Sequence, residues 1–579
     1  MTDLVRAVLA ALDARPEAPA LTAGRETLSG ARLAGRIRRV AAGLAAEGLR
    51  PGERVLFSVR PGADALVLAL GIVLARGVVV FADPGAGAAL FRARAALAAP
   101  RWIAAESLLY LASSGPLRPL ARRRGLELAP YSRLLPEARH VSAGRRLPGV
   151  PRGALALGAL ARSAAPAVDE AAADPSDDAL VIFTSGTTDA PRAVAHTRGS
   201  LGAGLADFAA AVVFAPGERV LTDQLMVGVP ALIAGAHWML PPPGLDPGAA
   251  PKRYLAALPA TEALFASPAG LDAILRLLDE RPALAARLGG LRTLVLGGAP
   301  VLRPLLERAR ARFPGARIRC IYGMTEVLPV AIADGDEKLR LLRADPSGGD
   351  PVGRVVPSVT ARIDDGELVL SGPGLARGYL AELPDHPLTE VRTGDLARLD
   401  RDLGPGVAGD LAPQLRLLGR RKEMFLRGTQ NVYPGLYEPI VAGLPGVRDA
   451  AMVGVPDAIG DDRLVLAVET VPAATRLDPA HPVARAVSRA LPGLLDAGVL
   501  PDLVLAVPAL PRSGRSRKLD RAALARLVAP LLPAEGGALD AGVPGAAAPG
   551  AQPSDAGAPG MGAPGAAAED AAARPGGAP

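Results

Sequence analysis

Apolar and polar positions along this chain switch repeatedly between a helical and a strand-like rhythm. The opening MTDLVRAVLAALDARPE carries Asp3 and Asp13 among Leu, Val and Ala, and predicts an amphipathic helix rather than a secretory signal. After the Pro51-Gly52 turn, Arg54 to Val59 predicts a strand and Gly62 to Arg76 a helix. Val78 to Ala82 then predicts a strand that stops at Asp83-Pro84-Gly85. Such alternation over residues 1–150 predicts a parallel sheet covered by helices. The stretch Ala63 to Phe81 is the most apolar, but Asp64, Arg76 and Gly77 interrupt it. It is expected to be a buried helix followed by a strand, with no transmembrane segment. From Val141 to Asp177 the chain is rich in Ala, Pro and Arg and is expected to be irregular. Gly217 to Pro243 predicts a buried helix running into a strand, and further strands are expected at Leu291 to Pro300 and from Ile318. Beyond Ala534 almost every residue is Ala, Gly or Pro, so a disordered tail is expected.

Composition changes this picture at a few points. With 579 residues there is room for a large core and more than one domain. Half the residues are hydrophobic but only 3% are aromatic, so that core must rest on Leu, Val and Ala. The net charge of +7 comes from scattered arginines with no sustained basic run, which argues against nucleic acid as a partner. The single cysteine, Cys320, excludes an internal disulfide and suits a reducing compartment, so a soluble, cytoplasmic protein is expected. His140, His196, His237, His386 and His481 show no metal-ligand spacing. Lysine occurs only at Lys252, Lys338, Lys422 and Lys518, against dozens of arginines. Each surviving lysine therefore raises the question of whether arginine would serve there.

Candidate chemistry begins at VIFTSGTTDAPRAVAHTRGS, residues Val181 to Ser200. Three β-formers lead into Thr184, Ser185, Gly186, Thr187 and Thr188. Glycine lets a backbone approach phosphate oxygens, and hydroxyls and loop N–H groups donate to them. An ordinary Ser/Thr-rich turn would look the same, and no Gly-Lys-Ser/Thr follows to make a Walker loop. Gly297-Gly298-Ala299 ends a strand with small residues, on which a flat ring could lie. Tyr322-Gly323-Met324-Thr325-Glu326 ends another strand with a carboxylate, the oxygen ligand a hard cation takes beside phosphates. Arg392-Thr393-Gly394-Asp395-Leu396, LGRRKEMFLRGTQNVYP at Leu418 to Pro434, and ALPRSGRSRKLDRAAL around Lys518 follow in order.

This ordered set resembles the acyl-adenylate-forming (AMP-binding) superfamily of acyl-CoA synthetases, luciferases and peptide-synthetase adenylation domains. The loop is similar to T-S-G-T-T-G-x-P-K-G-V, with Asp189, Arg192 and Ala193 replacing Gly, Lys and Gly. Tyr322 to Glu326 matches Y-G-x-T-E, and Thr393 to Asp395 matches T-G-D. The Leu418 to Pro434 stretch resembles the hinge motif G-R-x-K-D followed by N-V-x-P, with Glu423 in place of Asp. The segment ending at Lys518 resembles P-x-x-x-x-G-K, with Arg517 for the Gly.

The resemblance implies an α/β fold. A large N-terminal adenylate-forming domain with helix-covered sheets would span 1–420, a small mobile C-terminal α/β domain 421–533, and the tail 534–579. It implies that Thr184, Ser185, Gly186, Thr187, Thr188 and Arg192 bind the phosphates of ATP. Gly297, Gly298, Ala299, Tyr322 and Gly323 would hold adenine, Asp395 the ribose hydroxyls, and Arg420 ribose or phosphate. Thr325 would contact the α-phosphate, Glu326 would hold Mg²⁺, Lys422 would mark the hinge and Lys518 would be the catalytic lysine. The implied substrate is a carboxylic acid, expected to be a fatty acid, with CoA or an acyl carrier as the acceptor.

Two other readings stay open. Asp83-Pro84-Gly85 and Glu326-Val327-Leu328-Pro329 look like the fatty-acid–CoA ligase branch that contains the β-lactone synthetases of olefin biosynthesis. Those enzymes close a β-hydroxy acid on its own hydroxyl without CoA. Thr429 and Leu426 stand where the family has Gly and Lys near the pantetheine path, which leaves the second step undecided. The departures at Asp189, Arg192, Ala193 and Arg517 also fit a degraded paralogue that binds nucleotide without turnover.

Overall fold

Val78–Phe81 puts three valines and a phenylalanine in a row, and its valines are all buried. Such a run suits the middle of a sheet covered on both faces. In the computed structural model Arg54–Ser58 and Asp178–Phe183 flank it, both parallel, with Leu56 opposite Val80 and Val80 opposite Val181. Trp102–Glu106 and Arg139–Ala143 continue the sheet, also parallel. The structure describes residues 3–114, 117–119, 128–183, 192–245, 247–248, 250–346, 348–400, 413–421, 425–427, 430–432, 434–456, 462–495, 499–513 and 518–532. Two units divide the chain, Met1–Ala529 and Pro530–Pro579. Of the second, residues 530–532 are described, so the expected tail lies outside the described residues.

The expected elements of the first 150 residues form, with Leu4–Ala14 and Ala63–Leu74 as helices. Helix Gly30–Ala46 buries Leu33, Ile37, Val40 and Leu44 at helical spacing and lies against Ala63–Leu74. A Cβ on Gly71 would come within 2.7 Å of Val40 Cγ1, so glycine lets these two helices approach. The segment Val141 to Asp177 departs from expectation. Val141 to Ala143 complete the strand Arg139–Ala143, and Leu157–Leu160 is a short helix. That strand is short and lacks a long apolar run, and its pairing with Trp102–Glu106 is what makes it a strand.

A second sheet of thirteen strands, among the described residues, carries most of the candidate site. One half is parallel, with Arg219–Leu221, Ala263–Ala266, Thr293–Gly297 and Arg317–Met324 side by side. From Val327–Asp334 the sheet turns antiparallel through Asp350–Val355, Gln414–Arg420 and Glu390–Asp400. A two-residue link between Arg317–Met324 and Val327–Asp334 allows only an antiparallel return, because a parallel one needs a crossover.

Towards the C-terminal end, Val447–Pro456, Asp462–Thr470 and Leu503–Val507 form a separate three-stranded sheet. Its core contains Val441, Met452, Leu464, Leu466 and Val468. Among the described residues, no helix is long and apolar enough to cross a membrane.

Candidate active site

The link between Arg317–Met324 and Val327–Asp334 is Thr325-Glu326 itself. The strand is irregular between Tyr322 and Met324, where a Cβ on Gly323 would meet Leu328 Cδ1 at 2.4 Å. Glycine at that irregularity lets the chain fold back tightly enough to present the two residues at its tip. The tip is pinned from two sides. His196 Nε2 lies 2.7 Å from the Thr325 carbonyl, and Ala376 N donates to the Glu326 carbonyl at 2.8 Å. A carbonyl can only accept, so His196 carries its proton on Nε2. Burial lowers the pKa of His196 and keeps the ring neutral, while the bond to Thr325 works in the opposite direction.

Asp395 sits opposite Arg420 in the pairing of Glu390–Asp400 with Gln414–Arg420. Arg420 Nε donates to Asp395 Oδ1 at 2.7 Å, and the Tyr322 hydroxyl donates to Oδ2 at 2.6 Å. Burial, reinforced by the Asp395 charge, raises Tyr322 well above the usual phenol value, so it stays a donor. The surrounding turn is built from its own residues. Thr393 Oγ1 donates to the Leu368 carbonyl at 2.9 Å and accepts from Asp395 N at 3.0 Å, while Gly394 N donates to Glu367 Oε1 at 2.9 Å. Three residues singled out in separate motifs thus form one hydrogen-bonded set. Gly297 lies opposite Ile321, one residue from Tyr322, and Gly298 continues with φ +84°, a conformation glycine adopts freely. Ala299 follows, half-buried.

Glu326 is 7% exposed, and its Oε1 accepts a 2.9 Å hydrogen bond from the Tyr379 hydroxyl. The guanidinium of Arg192 lies over the Tyr379 ring, 5.5 Å from its centroid. Burial, with the Glu326 carboxylate beside it, pushes the Tyr379 phenol up to about 12. Tyr379 and His196 were not singled out by sequence reasoning as site residues. Gly378–Tyr379 is a two-residue strand with no periodicity to detect, and His196 is one polar residue in the buried strand Ala193–Thr197.

Lys518 is exposed, on a ribbon in which Lys518–Leu519 pairs with Arg512–Ser513. Thr184, Ser185, Gly186, Thr187 and Thr188 lie outside the described residues, as do Lys422, Asp189, Arg517 and Thr429.

Asp395 held by two donors, Glu326 at a pinned turn and a glycine-ended neighbouring strand together make a polar candidate site on an α/β fold. Residues 9–380 match the family model described as AMP-binding enzyme, and the chain belongs to that family. It is 29% identical over 473 residues to a feruloyl-CoA synthase from Amycolatopsis, covering 76% of this chain and 83% of that protein. Its fold is similar to that of ATP-bound MatB from Rhodopseudomonas palustris, with a TM-score of 0.69 and 22% identity over 91% of this chain and 99% of that one. The amide bond synthetase McbA from Marinactinospora thermotolerans is also similar, with a TM-score of 0.68 and 23% identity over 90% and 99% of the two chains. The chain is an acyl-adenylate-forming ligase.

Proposed function

We propose that this ligase uses ATP and Mg²⁺ to activate a carboxylic acid, a fatty acid in the first instance, and passes the acyl group to CoA. The substrate carboxylate attacks the α-phosphorus of ATP and pyrophosphate leaves with its bonding electrons, giving an acyl-AMP. The acyl carbon then accepts a thiol and AMP departs. The protein's part in the first step is positioning and charge stabilisation rather than covalent chemistry.

The observation that carries this reading is the Asp395 set. A carboxylate offers about four acceptor sites, of which the bonds from Tyr322 and Arg420 take two, so Asp395 retains capacity for the ribose hydroxyls. Mg²⁺ fits the donor chemistry at the other carboxylate. Glu326 is a hard oxygen ligand, and no group of three His, Cys, Asp or Glu among the described residues could hold a metal ion by itself. Phosphate oxygens and water would complete the shell, and the cation would neutralise charge on the phosphates. Thr325 would meet the α-phosphate, and the loop Thr184 to Thr188 with Arg192 the others. We further propose that the region from 421 to 533 moves as a small domain about Lys422, and that the enzyme works in the cytoplasm.

ATP–pyrophosphate exchange without CoA tests the reading, run against fatty acids, 3-hydroxy fatty acids and hydroxycinnamic acids. The last group enters because a relative is named for feruloyl-CoA. Exchange with any acid supports adenylation, and a strong preference for 3-hydroxy acids would move the second step to β-lactone closure. No exchange from protein that still binds ATP would make this a nucleotide-binding paralogue. Asp395→Asn keeps an acceptor but loses the charge facing Arg420, and is expected to raise the KM for ATP about tenfold. An unchanged KM would remove Asp395 from the nucleotide site.

A further inference from the structure

The segment from Leu375 to Leu380 joins the two large sheets. Leu375 bridges to Val327, and Ala376 N donates to the Glu326 carbonyl at 2.8 Å. Three residues on, the same segment is the edge strand of the other sheet, with Tyr379 opposite Val194. Arg377 N and Leu380 N donate to the Ala195 and Ala193 carbonyls, each at 2.8 Å, and Arg377 Nη1 pairs with Asp178 Oδ2 at 2.9 Å. The backbone of Tyr379 is therefore fixed against both Glu326 and the strand that begins beside Arg192.

We infer that Tyr379 is a positioning residue that couples the Glu326 carboxylate to the Arg192 cation, an inference that rests on the adenylation reading above. Its hydroxyl holds one oxygen of a nearly buried carboxylate, and its ring face lies under an exposed guanidinium. A magnesium–triphosphate presents both signs of charge at once. Tyr379 holds a partner for each sign in one arrangement before the nucleotide arrives, which reduces the ordering that binding must impose. Phenylalanine keeps the ring beneath Arg192 and loses the hydroxyl that holds Glu326.

The test uses Mn²⁺ as an EPR-visible stand-in for Mg²⁺ on the full chain loaded with α,β-methylene-ATP, with calorimetry for nucleotide affinity. Tyr379→Phe is expected to loosen Mn²⁺ about tenfold, because it removes a hydrogen bond to a charged group. Nucleotide affinity measured without metal should stay near wild type. Tyr379→Leu should lower that affinity as well, about threefold, through loss of the ring beneath Arg192. In a Glu326→Gln background Tyr379→Phe should add little, since the two changes remove one interaction, whereas a general loosening of structure would add in full. Equal Mn²⁺ affinity in Tyr379→Phe and wild type overturns the inference, and so do additive effects in the double variant. If the wild type binds Mn²⁺ and nucleotide but exchanges pyrophosphate with no acid, the adenylation reading falls while this cycle still judges Tyr379. Failure of the wild type to bind nucleotide overturns both.

Discussion

Replacing Lys518 by alanine is expected to slow ATP–pyrophosphate exchange on the order of a hundredfold to a thousandfold while leaving ATP bound. The expectation rests on what surrounds the residue. Arg512, Arg515, Arg517 and Arg521 surround Lys518 in the sequence, a pattern that a solvated basic loop would also show. The structure gives two of those arginines other work. Arg512 pairs with Asp449 on the strand Val447–Pro456. Arg521 clasps Glu438, with Nη2 to Oε2 at 2.8 Å, and donates to the Met452 carbonyl at 2.8 Å. Arg512 lies opposite Leu519 and Arg521 follows Leu519 by two residues, so both clamps anchor the base of the ribbon that carries Lys518. Burial raises Asp449 to about 6 although Arg512 opposes the shift, so the Arg512 clamp is expected to weaken below neutral pH as that carboxylate gains a proton. A compact ammonium on a flexible stem can serve a carboxylate and a ribose oxygen together, which a planar guanidinium copies poorly. Lys518→Arg is accordingly expected to recover little of the lost rate. Exchange assays paired with calorimetric ATP titration check both variants, and an alanine variant with the wild-type rate would remove Lys518 from the chemistry.

Scarcity alone does not assign a lysine to chemistry. Lys338 is equally rare in the sequence, yet it is 2% exposed, pairs with Asp350 and donates to the Pro351 carbonyl at 3.2 Å. Its work is structural, and nothing in its local sequence says so. Asp395 and Glu326 stand out in the sequence because each lies in a short motif that is visible in one dimension. Their partners divide by the same rule. Tyr322 stands inside a motif and is singled out there, whereas Tyr379 meets Glu326 through pairing of its segment with residues distant in the chain. Strand periodicity also carries no information on the direction of a neighbour, so the antiparallel half of the large sheet was not foreseen while its strand from Ile318 was. Cys320 was expected to be unpaired and is buried, with burial pushing its thiol up to about 12, which leaves it little thiolate character.

Arg198→Met is expected to destabilise the fold by about 3–5 kcal/mol, because it leaves a buried carboxylate without its cation. Arg198 opens the helix Arg198–Val212, directly after the strand Ala193–Thr197, and its side chain is fully buried. It makes two hydrogen bonds to Asp3, one of them Nη2 to Oδ1 at 2.9 Å, and Asp3 is itself 5% exposed. Asp3 also accepts from Arg6 N at 2.9 Å and so caps the helix Leu4–Ala14. Burial alone would raise the Asp3 carboxyl, but the bonds from Arg198 and Arg6 outweigh it and hold the group below the usual carboxylate range. A depressed folded value means that this stability is present at neutral pH and lost as pH falls through that value. In the methionine variant the cation is gone and burial dominates, so the folded value should move above the unfolded one. That variant therefore gains relative stability as pH falls, and its deficit against wild type should shrink between neutral and about pH 5. Urea unfolding at the two pH values measures this directly. Adding Asp3→Asn removes the stranded charge while keeping an oxygen for the cap, and the double variant should recover much of the loss. A deficit that is constant with pH and persists in the double variant would mean that Arg198 contributes through its volume, and that the ion pair with Asp3 is incidental to how this helix is held.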